Sequence, residues 1–209
     1  MAIVGIGVGP SFVRARVPLV LVSDAFTAAD ATVLTSYSAL WVKHAAGSNT
    51  GDATIDANRL HNTNDAGQHV YYRSDFAPTS ADYRVEADVV QKSDNDLSTM
   101  GVIGRADATA VTHYLARYNA NGNAWQLFSV VAAAATQLGS NAVQVLTNDQ
   151  AYRLALDMSG SSIVLLVDGA PKVTAVNTAI AAAGLAGVRT SQAATSSVGI
   201  HLDNFAVRQ

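Results

Sequence analysis

The chain has 209 residues and a formal charge of −3 at pH 7, with 49% hydrophobic and only 14% charged residues. That length supports a large buried core, and that composition excludes disorder. Without an excess of positive charge a nucleic-acid or anionic-membrane partner is not expected, and without cysteine there are no disulfides, thiolate metal sites or cysteine nucleophiles.

Usage is uneven, with 38 alanines, 15 aspartates against one glutamate, and ten arginines against three lysines. No segment reaches the roughly 18 apolar residues that span a bilayer. Residues 1–22 read as an N-terminal arm of the mature protein. They do not read as a signal peptide, because Gly and Pro interrupt the apolar run and its first charges are Arg14 and Arg16. Val4, Ile6 and Val8 alternate with Gly5, Gly7 and Gly9, so an extended arm presents one apolar edge. That edge is expected against a neighbouring subunit or particle surface, with Arg14 and Arg16 at the rim of the contact.

Residues 23–209 read as one domain of short extended runs separated by turn residues, the pattern of an all-β sandwich. The first strand is expected near Ser23–Thr27. Further strands are expected at Val70–Phe76, at Tyr83–Val89, at Thr99–Arg105, at Thr112–Tyr118 and at Trp125–Val131. Tyr83, Val85, Ala87 and Val89 then share one face, and Arg84, Glu86 and Asp88 the other. Ala132–Ala135 is too short to nucleate a helix. Ala151 to Val173 reads as a meander, with Asp168-Gly169 as a type I′ turn signal. Asn177–Ala183 is the one place where a helical turn is expected. Strands at Gly187–Thr190 and Gly199–Val207 end the chain.

A series of spaced residues carries a family resemblance. It includes Ser23-Asp24-Ala25-Phe26-Thr27 with Trp41 downstream, Asn58-Arg59-Leu60, Asp82-Tyr83-Arg84-Val85 and Gly101-Val102-Ile103-Gly104-Arg105. It continues through Tyr114-Leu115-Ala116-Arg117-Tyr118, Tyr152-Arg153-Leu154, Val167-Asp168-Gly169, Ala186-Gly187-Val188-Arg189 and Leu202-Asp203-Asn204-Phe205. In this order they resemble the concanavalin A-like, laminin-G-like jelly rolls, most closely members encoded among phage structural genes. The resemblance implies a two-sheet antiparallel jelly-roll sandwich, one sheet concave and one convex, with the first and last strands adjacent. It does not imply one function, because the same sandwich hosts lectins, glycosidases and packing modules.

Glycoside hydrolysis needs two carboxyl groups at a set separation. Glu86 and Asp88 are the candidates on one strand face, yet the second glutamate of the laminarinase-like pattern is missing. Pairing of both to arginines such as Arg84 is the expected arrangement, and no catalytic residue is assigned. His44, His61, His69, His113 and His201 show no metal-binding spacing and are expected at the surface or in turns. Gly5-x-Gly7-x-Gly9 lacks the lysine of a phosphate loop, and no Gly-x-Ser-x-Gly elbow is present.

Calcium is the one cofactor the oxygen donors admit, through Asp94-Asn95-Asp96, Asn62-Thr63-Asn64-Asp65 or Asn119-Ala120-Asn121, all of which equally suit ordinary turns. The resemblance adds Asp203 beside Asp24 as a calcium position. Sugar binding calls for aromatic platforms flanked by hydrogen-bonding side chains. In a strand, neighbours such as Tyr71-Tyr72, Arg117-Tyr118 and Trp125-Gln126 face opposite ways. Tyr72, Arg117, Tyr118 and Trp125 are the candidates, while Trp41, Phe76, Tyr83, Phe128 and Phe205 are expected between the sheets.

The leading expectation is a non-catalytic module of a phage-like particle, a capsid decoration, cement or fibre-like protein attached by its arm. It would be assembled in the host cytoplasm as a homo-oligomer or on a major capsid protein or other virion protein. The alternative is a carbohydrate-binding, lectin-like domain with a glycan partner, and a glycoside hydrolase comes third.

Overall fold

In a computed structural model the described residues are 19–44, 51–63, 67–76, 78–93, 97–107, 112–192 and 194–209. The arm residues Val4, Ile6, Val8, Arg14 and Arg16, and the loop Asp94-Asn95-Asp96, lie outside them. The elements run β1 (Val20–Asp24), β2 (Thr32–Val33), helix α1 (Leu34–Tyr37), β3 (Trp41–Lys43), β4 (Ala53–Asp56), β5 (Arg59–Asn62) and β6 (Gln68–Arg73). Then follow β7 (Tyr83–Gln91), β8 (Thr99–Ala106), β9 (His113–Asn119), a 3-10 turn at Ala120–Gly122, β10 (Ala124–Val131) and β11 (Ala134–Val143). The chain closes with β12 (Ala151–Ser159), β13 (Ser162–Val167), β14 (Ala170–Val176), β15 (Leu185–Ser191) and β16 (Ile200–Arg208).

These strands form two antiparallel sheets. One has the order β14-β13-β12-β7-β16-β5-β4-β2, with β1 also on β16; the other has the order β11-β10-β9-β8-β15-β6-β3. The first and last strands are adjacent as expected, Asp24 opposite Phe205 and Ser23 opposite Ala206. Pairing begins earlier than Ser23, because Leu19 and Gln209 exchange backbone hydrogen bonds.

The core lies between the sheets and follows the strand alternation. Tyr83, Val85, Ala87 and Val89 of β7 meet Leu154 and Leu156 of β12 and, from the other sheet, Met100, Val102, Tyr114, Tyr118, Trp125, Leu127 and Val188. Trp41, Phe76, Tyr83 and Phe205 are buried there as expected. Phe128 is not. It shares the parity of Gln126, so it faces outward and packs on a second, smaller apolar cluster. The β-bulge between Asp203 and Ala206, with Asn204 at φ 48°, lets both Leu202 and Phe205 face the core.

Two polar ties cross the interior. The Asp24 carboxylate accepts from Phe26 N (2.8 Å) and the Tyr37 hydroxyl (2.9 Å) through one oxygen, and from Trp41 Nε1 and Arg73 Nη1 (2.8 Å each) through the other. Its donors on β3 and β6 belong to the opposite sheet. Arg73 also lies 5.2 Å over the Trp41 ring, which packs edge-on against Phe205 at 5.0 Å. At the other end, Arg105 takes a left-handed backbone (φ 48°) and donates to the carbonyls of Ala81 (2.8 Å), Ile180 (2.9 Å) and Gly160 (2.9 Å).

Asn177–Ala183 forms no helix. Its polar groups are taken by tertiary partners, since the Tyr114 hydroxyl donates to Asn177 Oδ1 at 2.8 Å and accepts from Ile180 N at 3.3 Å. The described α-helix is instead the four residues of α1. Strand β11 carries little pattern, with Leu138 its one buried residue, and forms by pairing with β10.

The Asp168-Gly169 turn has φ of 51° and 78°, as a type I′ turn requires. Between β10 and β11 the same job falls to Ala132 (φ 48°) and Ala133 (φ 70°), alanines in a region that costs an L-residue about 1 kcal/mol or more. Replacing them as Ala132→Asn with Ala133→Gly is expected to stabilise the protein by about 1 kcal/mol, seen as a higher urea midpoint at unchanged slope. Asp24→Ala takes the shared acceptor from Phe26 N, Tyr37, Trp41 and Arg73, while Arg73 keeps its two bonds to Asp75 (2.9 and 2.8 Å), and is expected to cost about 2 to 3 kcal/mol in the same assay. A loss below about 1 kcal/mol would show that the tie is dispensable.

Candidate functional site

The two outer faces differ in how their charges are disposed. On the nine-stranded sheet, Arg84 Nη2 bonds Asp157 at 2.6 Å, and Glu86 Oε2 accepts from Arg153 (2.9 Å) and Arg208 (2.8 Å). Asp88 accepts from Arg153 (3.1 Å) and from Asn204 Nδ2 (2.8 Å). A cavity of about 230 Å³ beside Arg84, Asp157 and Arg208 is therefore lined by charges that already neutralise one another. Burial alone would raise the Glu86 pKa, but hydrogen bonds from Arg208 and Arg153 outweigh it and hold the carboxyl below the usual glutamate range. A glycosidase acid needs the opposite shift.

The outer face of the seven-stranded sheet reads as rows across the strands. One row runs Gln126, Arg117, Gly101, Arg189, Val70. The next runs Gln137, Phe128, Leu115, Ile103, Gly187, Tyr72, Val42. His113 and Val130 begin a third. Ile103, Leu115, Val70 and Ala106 form a buried apolar floor, with Phe128 and Leu185 partly exposed against it. At the end bearing Ala106 and Leu185 the floor adjoins a cavity of about 580 Å³, lined also by Thr112 and Ile180.

Over this floor stand polar groups. Arg117 Nε donates to Gln126 Oε1 at 3.0 Å, and its guanidinium lies 4.6 Å over the Phe128 ring. Gln126 and Gln137 both donate to Asn141 Oδ1, at 3.0 and 2.7 Å. Tyr72 is half-buried and meets the His44 ring edge-on at 6.4 Å.

Two glycines lie in the middle of the face. A Cβ at Gly101 would stand 2.0 Å from Ala116 O, and one at Gly187 1.9 Å from Tyr71 O. Each is therefore obligatory, because the adjoining backbones approach too closely for any side chain. Gly101 thus places no side chain between Arg117 and Arg189 in its row, and Gly187 none between Ile103 and Tyr72.

Of the residues the sequence marks for sugar contact, Tyr72 and Arg117 lie on this face. Tyr118 and Trp125 do not. Both are fully buried between the sheets, packed on each other at 4.8 Å, with the Tyr118 hydroxyl donating to Gln144 O and Trp125 Nε1 to Gln144 Oε1. Phe128, Gln126, Arg189 and His113 join Tyr72 and Arg117 instead. Their parity was readable: with Val188, Leu127 and Tyr114 inside, Arg189, Phe128 and His113 must face out.

The calcium position is not formed. Asp24 has both oxygens occupied by four donors, one a guanidinium, and Asp203 lies elsewhere, opposite Asp88 in register. Among the described residues no three His, Asp or Glu side chains gather as a metal set. Asn119 forms an ordinary Asx turn, accepting from Asn121 N at 3.1 Å.

All five histidines are buried rather than at the surface, because the strands carry four of them inward or under neighbours. His61 and His201 stack at 4.9 Å on the nine-stranded sheet, His61 bonded to Asp56 and His201 to Thr195 O at 2.8 Å.

No protein-family model matches the chain, and no curated protein matches it in sequence. Solved structures do match in fold. The carbohydrate-binding module CBM66 from Bacillus subtilis is 16% identical with a TM-score of 0.64, over 81% of this chain and 96% of that one. A Bacillus subtilis protein of unknown function with a galectin-like fold is 12% identical with a TM-score of 0.64, over 91% and 96%. LamAcat from Zobellia galactanivorans is 10% identical with a TM-score of 0.58, over 91% and 97%. The chain thus has the galectin-like jelly-roll sandwich, and at these identities the likeness is one of fold. Among the described residues no helix is long and apolar enough to cross a membrane.

The buried histidines make stability depend on pH. Burial, and then the neighbouring His61, push His201 down to about 4 from 6.5. Below pH 6.5 the unfolded chain binds a proton that the folded chain refuses, so this contribution is whole above pH 6.5 and is lost as pH falls toward 4. The loss is on the order of 3 kcal/mol. Urea midpoints measured from pH 7 to 4.5 should fall, and His201→Gln should flatten that fall; an unchanged slope in the variant would remove His201 as its source.

Proposed function

We propose that this protein is a non-catalytic carbohydrate-binding domain that takes its glycan on the outer face of the seven-stranded sheet. The observation that carries the reading is the pairing of two rows on that face. One holds the partly exposed rings of Tyr72 and Phe128; the other holds the hydrogen-bonding side chains of Gln126, Arg117 and Arg189. Sugar rings need both, an apolar surface to lie on and planar polar groups to bond their hydroxyls. Tyr72 and Phe128 stand on strands four spacings apart, roughly 19 Å, so the face suits an oligosaccharide rather than a single sugar.

The non-catalytic part of the reading is supported by Glu86. It is the chain's single glutamate, and three arginines surround it and keep it ionised. Carbohydrate-binding and galectin-like structures among the similar folds favour this reading over the particle module. A phage-particle role and a calcium ion draw no support from them.

Glycan-array screening followed by calorimetric titration tests the proposal. Tyr72→Ala and Phe128→Ala should each weaken binding by about 1 kcal/mol, roughly fivefold, with the melting temperature little changed. Full affinity in both variants, or no glycan bound by the parent protein, would refute it.

A further inference from the structure

Eight arginines lie among the described residues, and five of them have a carboxylate within 4 Å: Arg73, Arg84, Arg105, Arg153 and Arg208. Arg59, the first residue of β5, has none that close but lies near enough to Asp149 and Asp203 for its charge to act on both. The other two without one are Arg117 and Arg189, and both lie on the outer face of the seven-stranded sheet. They flank Gly101 in a single cross-strand row. Two strand spacings put their Cα atoms roughly 10 Å apart, within mutual reach of two long side chains.

Both are half-buried over the apolar floor. Arg117 has its Nε on Gln126 and its flat face on Phe128, which leaves the terminal edge of its guanidinium open. Arg189 makes no hydrogen bond or ion pair among the described residues. Burial, and then the charge of Arg117, depress it to about 10. His113, 2% exposed on the same face, has an unpartnered Nε2, and burial, Arg189 and His44 hold its ring neutral at about 3.

A protein with net charge −3 and 15 aspartates has no shortage of carboxylates to place opposite these cations. On the other sheet Arg84, Arg153 and Arg208 are so matched. An uncompensated, partly desolvated pair of guanidiniums is unfavourable in the unliganded protein and becomes favourable only when an anion arrives.

We infer that the glycan taken by this face is acidic, a uronate-containing oligosaccharide whose carboxylate sits above Gly101 between Arg117 and Arg189. This rests on the carbohydrate-binding reading and narrows it to one chemical class. Gly101 itself carries no side chain to stand between the two guanidiniums. Each guanidinium offers it a planar, two-donor edge, which matches a planar carboxylate better than a tetrahedral ester. The adjoining row, with Phe128 and Tyr72, carries the faces of the neighbouring rings.

The test uses the full chain and a panel of uronate oligosaccharides, each paired with its methyl ester, which keeps the sugar and removes the charge. A sulfated oligosaccharide of matching length and sodium acetate complete the set. Titration calorimetry should show the acid form of at least one pair bound ten-fold or more tighter than its ester, and weakened severalfold between 50 and 500 mM salt. Arg189→Met should abolish that preference while leaving the melting temperature equal or higher, since it removes a half-buried charge that pairs with nothing; a merely structural arginine would lower it. Arg117→Met should reduce the preference as well.

Equal affinity for acid and ester would overturn the acidic assignment and leave carbohydrate binding standing. Tighter binding of the sulfated sugar, or of acetate as strongly as of the oligosaccharide, would overturn the uronate. Binding of no saccharide at all would overturn both readings, and an acid preference that survives Arg189→Met would overturn the role of the arginine pair.

Discussion

A single carboxylate, that of Asp24, holds one end of the two sheets in register. It lies at the end of β1 on the nine-stranded sheet and is bonded by Trp41 and Arg73 of the seven-stranded sheet. Buried charges of this kind contribute little net stability when paired, but their geometry is demanding. With four donors, the carboxylate has one acceptable place. Arg73 in turn fixes β6, and strand alternation then decides that Tyr71 enters the core and Tyr72 faces out. The candidate glycan surface thus inherits its alignment from a contact on the far side of the same strand.

The two outer faces follow from one another in physical terms. On the nine-stranded sheet Glu86, Asp88 and Asp157 are spent on Arg84, Arg153 and Arg208, so those charges neutralise one another. On the seven-stranded sheet the cations remain and the carboxylates are missing. The strand glycines sharpen the difference. Gly101 and Gly187 each sit where neighbouring backbones leave no room for a Cβ, and so add no side chain to the rows they stand in.

Fold likeness does not carry function here. The same sandwich is found in a carbohydrate-binding module and in LamAcat, and at 10 to 16% identity only the arrangement of strands is shared. What separates binding from hydrolysis is the site: a glycosidase acid requires a raised pKa, and on the nine-stranded sheet arginines hold Glu86 low while burial raises Asp203.

The sequence by itself determined the all-β class, the Asp168-Gly169 turn and the inward face of β7. Each of these is written in neighbouring residues, as alternation or as a turn signal, and needs no knowledge of the other sheet. It also marked Tyr72 and Arg117, because a split pair in a strand must send one member outward. Only the tertiary structure decided which member. Tyr118 and Trp125 went inside because aromatic burial between the sheets outweighs exposure, and Arg117 and Gln126 took the surface in their place. It likewise decided that Asp24 is a tie between sheets rather than a metal ligand, that the histidines are buried, and that β11 exists at all. Above all it brought Arg117 and Arg189, 72 positions apart in the chain, to either side of Gly101. That juxtaposition depends on the order β9-β8-β15, which no local pattern encodes.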